Sequence, residues 1–396
     1  MRVTRVESIS RPSVRPLCSN FMSGPCAKRP GFSISALDTT LLGRSRRAAP
    51  LIASRYEVIQ RSMDILEIPA GWRVAIVPGS DMGAMEIAMW SLLGPRPVDV
   101  FSYERFSAYW ATDVTEQLRL TEARVLSAPF GQLPDLSKVD WSHDVVFVWN
   151  GTTSGVCVPD GDWIPADREG LSICDATSAA FAMPLPWDKL DVVTWSWQKA
   201  MGGEGAHGML ALSPRAVARL LTYQPQLPIP TLFRLTEGGQ IIDGLFRGEC
   251  INTPSQMCVE DALDSLRWAE RIGGLPALLK RTQDNAGVLN EWVASTPWID
   301  HLVSDVRERS VSSICLRLVA PWYVALDARV QADAARRLTT LLEDEEVAYD
   351  IDANPSAPPG IRIWCGPTIE ASDIEALLPW LEWAHRVVEV EYSDRG

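Results

Sequence analysis

The stretch Asp191-Val-Val-Thr-Trp-Ser-Trp-Gln-Lys199, followed at once by Ala-Met-Gly-Gly-Glu-Gly-Ala-His-Gly208, decides how the chain is read. Its apolar run, rich in β-branched and aromatic residues without strict polar alternation, reads as a strand buried on both faces. The run ends in a lysine, and four glycines follow within residues 202–208. Glycines there let the backbone turn sharply and pass close to a ligand. An amine held in such a turn, partly stripped of water, has a lowered pKa and can attack carbonyl carbon. The plain alternative is a surface lysine in a flexible turn.

Working outward, comparable apolar runs lie at residues 72–77, 98–101, 123–126, 144–149, 171–174 and 208–212, with helical patterns at 84–93 and 111–120. Strands alternating with helices predict an α/β architecture, a mostly parallel sheet of about seven strands with helices on both faces. Residues 223–230 (YQPQLPIP) break regular structure, and beyond Thr253-Pro254 the texture changes to long amphipathic helices. Strand-like runs follow at 312–319, 347–351 and 360–365, then a last helix whose Ser372-x-x-Glu375 has the capping-box pattern. The expected division is an N-terminal arm (1–19) near the small domain, a large domain (20–260) and a smaller C-terminal α+β domain (261–396). The first sixteen residues carry four arginines and one glutamate without an apolar signal core, so a frayed or loosely docked terminus is expected.

Composition narrows the function classes. A chain of 396 residues with 46% hydrophobic and 22% charged residues is ordinary for globular proteins, against disorder or coiled coil. Its net charge of −13 argues against nucleic acid as a partner. The eight cysteines are scattered without a C-x-x-C pair and read as reduced, mostly buried thiols of a cytoplasmic protein. His143, His207, His301 and His385 lack metal-ligand spacing, so no metal is expected, and no apolar stretch is long enough to span a membrane.

In an open α/β sheet, ligands gather past the carboxyl ends of the strands. Four such ends carry suggestive residues. Lys199 is one. Leu171-Ser-Ile-Cys-Asp175 ends in a carboxylate. Val74-Ala-Ile-Val-Pro-Gly-Ser-Asp-Met-Gly-Ala-Met-Glu86 runs from strand through a small-residue turn into a helix, whose first amides suit a phosphate. Val145-Val-Phe-Val-Trp-Asn-Gly-Thr-Thr-Ser-Gly155 ends in a polar turn with two threonine hydroxyls. Each alone is weak. Together, a Schiff-base lysine, an aspartate for a pyridine nitrogen and a phosphate cradle are the parts a pyridoxal phosphate site needs.

Thr194-Trp-Ser-Trp-Gln-Lys-Ala-Met-Gly-Gly-Glu-Gly-Ala-His-Gly-Met209 resembles the lysine segment of phosphoserine aminotransferases, in the class V group of fold-type-I pyridoxal phosphate enzymes. Asn20-Phe-Met-Ser-Gly-Pro-Cys26, Leu42-Gly-Arg-Ser-Arg-Arg47, Asp175-Ala-Thr-Ser-Ala179, Ile251-Asn-Thr-Pro-Ser255 and Gly360-Ile-Arg-Ile-Trp364 also match, in family order, over nearly the whole chain. The resemblance implies that Lys199 binds the cofactor aldehyde and Asp175 pairs with its ring nitrogen. Thr152 would bond the ring-hydroxyl side, while Gln198 and the loop Ser80-Asp81-Met82 hold the phosphate. Asn252 and Thr253 would come from the partner subunit of a homodimer, and Phe106 or Trp110 would stack on the ring. Arg47 and Arg362, with Arg46 beside them, would bind substrate anions in one basic pocket. His207 reads as structural.

The chain departs from the family at two places: Arg46 stands where relatives have His, and Met82 where they have Thr or Arg. The activity implied is transfer of the amino group of L-glutamate to the phosphorylated 2-oxo acid 3-phosphohydroxypyruvate in serine biosynthesis, with a phosphorylated hydroxythreonine as a second substrate in pyridoxine biosynthesis. The alternatives are another class V transaminase, acting on alanine or serine with glyoxylate, or a non-catalytic relative that serves as a binding module.

Overall fold

The computed structural model describes residues 9–393. The elements run α1 (Ala49–Ile65), β1 (Arg73–Pro78), α2 (Ser80–Leu92), β2 (Val98–Ser102), α3 (Arg105–Thr112), β3 (Ala123–Ser127), β4 (Asp144–Val148), β5 (Ser172–Asp175), β6 (Val192–Ser196), β7 (His207–Leu212) and α4 (Pro214–Thr222). After a short hairpin, β8 (Thr236–Glu237) and β9 (Gln240–Ile241), come α5 (Gln256–Ile272), α6 (Gly274–Ser295), β10 (Ile299–His301), β11 (Ser313–Leu318), the one-turn α7 (Pro321–Val324), α8 (Ala328–Asp344), β12 (Ile361–Trp364) and α9 (Ala371–Tyr392).

The first seven strands form one sheet in the order β1-β7-β6-β5-β4-β2-β3. Only β7 runs antiparallel to its neighbours. β4, β5, β6 and β7 are buried along their whole length, which is why they show no alternation in the sequence. Helix α2 packs on β6 and β7, α1 on β1 and α5, and α3 on β2.

The amino ends of β2, β4 and β6 each carry a buried aspartate. Asp99 is bound by Arg124 at 2.7 Å and accepts the Asp140 amide. Asp144 is bound by Arg219 at 2.9 Å and accepts the Leu171 amide. Asp191 takes Arg168 at 3.0 Å, Arg215 at 2.9 Å and the Ser172 amide. A buried carboxylate is tolerable because cation and amide together replace its lost water.

The second sheet is antiparallel, in the order β10-β11-β12, with α6 against β10 and α8 and α9 packed on each other. Here three sequence expectations fail. Residues 347–351 form no strand: they make only isolated bridges through Tyr349 and nearby Asp352, and Glu346 and Asp350 have positive φ, which interrupts an extended run. Ser372 does not cap α9, which already begins at Ala371 behind Glu370 with no side-chain cap. The pattern at 111–120 is not one α-helix: α3 stops at Thr112 and passes into a π-helical turn over 113–117.

Of the N-terminal segment, residues 1–8 lie outside the described residues. Arg11 and Arg15 both pair with Glu345 and cover Trp383 and Trp380, and Trp380 donates to Val14 O at 2.7 Å. The chain then runs beside the second sheet, where the amides of Tyr349 and Trp364 donate to Ser19 O and Phe21 O at 2.9 and 2.8 Å.

Candidate active site

The carboxyl ends of β1, β4, β5 and β6 meet round a cavity of about 260 Å³. β5 delivers Asp175, 4% exposed, whose Oδ2 accepts the Trp110 indole N–H at 3.1 Å and whose Oδ1 accepts the Thr177 amide at 3.0 Å. β6 delivers Gln198 and Lys199 into the same space. The lysine is buried, and its ammonium donates to the Ser23 carbonyl. Burial lowers its pKa and Arg362 adds to the effect, while the Cys26 thiol, Asp175 and Glu104 oppose it.

Two glycines make that placement possible. Gly24 has φ +136°, and a Cβ there would stand 2.6 Å from Lys199 Nζ. Gly202, at φ +61°, turns the chain back where a Cβ would meet Ala27 O at 2.1 Å. Lys199 and Gly202 are thus packed against residues 24–28, and a surface lysine is excluded.

The turn after β4 is fixed from both sides. Thr152 shares a hydrogen bond with the Ser178 hydroxyl, and its carbonyl accepts Ser313 Oγ at 2.8 Å from the second sheet. Thr153 donates to Glu104 Oε2 at 2.6 Å, while Glu104 Oε1 caps α3 by accepting the Ser107 amide at 2.7 Å. Glu104 was not anticipated. The only trace of it in the sequence is the reciprocal cap Glu-x-x-Ser, which says nothing of Thr153. Burial raises its pKa.

At the start of α2, the Ser80 amide bonds Ala206 O and the Gly83 amide bonds Gly79 O, which leaves the amides of Asp81 and Met82 at the cavity wall. Of the two aromatic candidates, Phe106 lines the cavity, whereas Trp110 is buried behind Asp175. Arg362, on β12, does not line this cavity but a neighbouring one with Arg336, Asp350 and Asp352; its Nε is buried without a partner, and its charge is felt by Lys199 and Cys26. Asp81 Oδ1, Thr194 Oγ1, Ser196 Oγ and Gln198 Oε1 are likewise buried and unpartnered. Buried polar atoms are satisfied almost everywhere in native proteins, so the two of these that line the cavity, Asp81 Oδ1 and Gln198 Oε1, mark a place built for a ligand.

Arg46, Arg47, Asn252 and Thr253 are not brought into this cavity. Arg46 and Arg47 line a second one, of about 480 Å³, with Arg55 and Arg234. There Arg46 donates to Cys250 O at 2.6 Å, and Arg55 to the carbonyls of Gly248 and Arg46. Within one chain, Arg362 therefore does not share a pocket with Arg46 and Arg47. His207 accepts the Ser255 amide at 3.1 Å and lies against Trp197, with burial pushing its pKa down to about 4. That neutral acceptor anchors the segment after Thr253. Among the described residues no cluster of histidine, cysteine and carboxylates could hold a metal, and no helix is long and apolar enough to cross a membrane.

No family model matches the chain. A phosphoserine aminotransferase of Methanosarcina mazei is 51% identical over 379 residues, covering 96% of this chain and all of the relative. Among solved structures, a phosphoserine aminotransferase of Cytophaga hutchinsonii superposes with a TM-score of 0.76 at 19% identity, over 91% of this chain and 97% of that one. A PLP-bound phosphoserine aminotransferase of Trichomonas vaginalis gives 0.73 at 16% identity, over 92% of this chain and 99% of that one.

Proposed function

The chain belongs to the phosphoserine aminotransferase family, and from that premise we propose that it moves the amino group of L-glutamate to 3-phosphohydroxypyruvate, giving O-phospho-L-serine and 2-oxoglutarate. The observation that carries the reading is the buried amine of Lys199, with its lowered pKa, sharing one cavity with Asp175. Pyridoxal phosphate fits this lining: the amide side chain of Gln198, two open backbone amides at a helix start, and a carboxylate for a ring nitrogen. Bound there, it supplies an aldehyde for amine exchange and a ring that withdraws electrons from the substrate α-carbon.

The chain's own residues supply the rest. Lys199 would hold the cofactor aldehyde, and its amine, of lowered pKa, would serve as the carrier of the substrate α-proton near neutral pH. Asp175 keeps the ring nitrogen protonated, and Trp110 and Thr177 keep Asp175 in place. Thr152 bonds the ring-hydroxyl side and Phe106 covers a ring face. The amides of the Ser80-Asp81-Met82 loop and Gln198 hold the phosphate. The unpaired Nε of Arg362 receives the carboxylate common to both substrates.

Arg46, Arg47, Asn252 and Thr253 are assigned to the site of a second copy in a homodimer. None of the four lines this chain's own cavity, which supports that assignment. The division into an arm (1–19), a large domain (20–260) and a small domain (261–396) accompanies it, with the second boundary inside α5. A cytoplasmic location fits eight free cysteines.

The test is a half-reaction screen. O-phosphoserine and glutamate are expected to bleach the absorbance of the reconstituted enzyme, and alanine and serine to leave it largely unchanged. Bleaching by alanine or serine at comparable rates would instead favour a glyoxylate-type transaminase.

A further inference from the structure

The Lys199 cavity contains two buried carboxyls, and the proposed reaction gives a side-chain task only to Asp175. The other is Asp81, in the first turn of α2 and 6% exposed. Its Oδ1 has no partner, and its carboxyl lies beside that of Asp175 on the cavity wall. The hydroxyls of Thr177 and Thr194 stand close by without closing a well-formed hydrogen bond. Asp99, Asp144 and Asp191, by contrast, each hold an arginine.

Two adjoining carboxyls in a dry site do not both ionise. Counting lone pairs shows where the shared proton belongs. Asp175 uses one lone pair on each oxygen, for Trp110 and for Thr177. Of its two remaining sites, one serves the ring nitrogen and the other is open to a donor.

We propose that Asp81 is a positioning residue: as a neutral carboxylic acid it donates a hydrogen bond to Asp175 and holds that carboxylate, still ionised, against the ring nitrogen of the cofactor. This rests on the cofactor reading above. Desolvation, and then the charge of Asp175, raise the Asp81 carboxyl well above the usual carboxylate range. The surrounding titratable groups do not offset this. Cys174 on β5 is itself pushed up by burial and by the same two carboxyls, and Tyr103 and Glu104 beside α3 are raised by burial. The nearby cation, Lys199, is the group that engages the cofactor. A neutral Asp81 also removes a negative charge from the helix start proposed to seat the phosphate.

The test compares wild type, Asp81→Asn and Asp81→Leu, each freed of cofactor and titrated with pyridoxal phosphate while the bound absorbance is followed across pH. Asparagine is neutral and keeps an N–H for Asp175, so the midpoint of the pH-dependent colour change should stay within about 0.3 unit of wild type. Leucine has no donor, and cofactor affinity should fall about tenfold, with no loss in the unfolding midpoint of the cofactor-free protein. An infrared difference spectrum at neutral pH should lose one protonated-carboxyl band in Asp81→Asn.

A midpoint moved by about one unit or more in Asp81→Asn would report a lost negative charge and overturn the proposal. So would undiminished affinity in Asp81→Leu, or an unchanged infrared band. Absence of any Lys199-dependent absorbance in the wild type would overturn the cofactor reading, and this proposal with it.

Discussion

The two ends of the seven-stranded sheet handle buried charge in opposite ways. At the amino ends, Asp99, Asp144 and Asp191 are each closed off by arginine and a backbone amide. At the carboxyl ends, Asp175 and Asp81 have no arginine and Lys199 has only a carbonyl, while Arg362 on the second sheet keeps an unpaired Nε. One end spends its charges on holding strands together. The other holds them in reserve for molecules that come and go. Stability and chemistry are thereby separated along a single set of strands, and substitutions should sort accordingly.

The largest effect is expected from Lys199→Ala: turnover should fall by about 10⁴-fold, since the cofactor anchor and the proton carrier go together. Its unfolding midpoint should not drop, because a desolvated amine is removed. A midpoint lowered as far as in the next variant would break the comparison.

That variant is Asp191→Asn, which strands Arg168 and Arg215 and should cost about 3–4 kcal/mol in denaturant unfolding. Activity per folded molecule should remain near wild type. A selective loss of kcat would mean that the amino ends serve the site as well.

Arg362→Gln should lower kcat/KM about 30-fold, or about 2 kcal/mol, for glutamate and for the phosphorylated substrate alike. Arg47→Ala should act mainly on the phosphorylated substrate, through KM. Equal losses for both substrates in Arg47→Ala would count against the dimer assignment.

The smallest effect concerns His207, the satisfied polar group at the carboxyl ends. Its folded pKa, about 4, lies below the ordinary 6.5, so the unfolded chain binds the proton first as pH falls. Its stabilisation is complete above pH 6.5 and disappears down to about pH 4. At pH 5.5 the loss should be about 1.4 kcal/mol, and His207→Gln should show that much less acid sensitivity than wild type. His301 and His385, also pushed down to about 4, carry their own share and stay as internal controls.

What was readable in the chain was what is local. Lys199 and its glycines, the apolar strands and the Asp175 terminus each announce themselves within a few residues, so the sheet and half of the site could be drawn in advance. What folding alone brings together could not be. Glu104 reaches Thr153, and Asp81 reaches Asp175, only because strand order makes neighbours of distant loops. Residues 347–351 have the composition of a strand but positive-φ positions at 346 and 350. Arg46 and Arg47 matched a family motif, yet a motif carries no information on which cavity of a single chain it lines.

The amine of Lys199 rests under Ser23, and that segment is pinned by Phe21 O to Trp364 and by Ser19 O to Tyr349. During synthesis on the ribosome, residues 19–23 therefore wait for Ser313, Tyr349 and Trp364 to emerge before they find their seat, whereas Cys26 bonds the earlier Gln198. The large sheet can assemble earlier, with its cofactor pocket unroofed on one side. Nascent chains should acquire a sequestered lysine only late in translation, when the second sheet closes over residues 19–23 as a clasp.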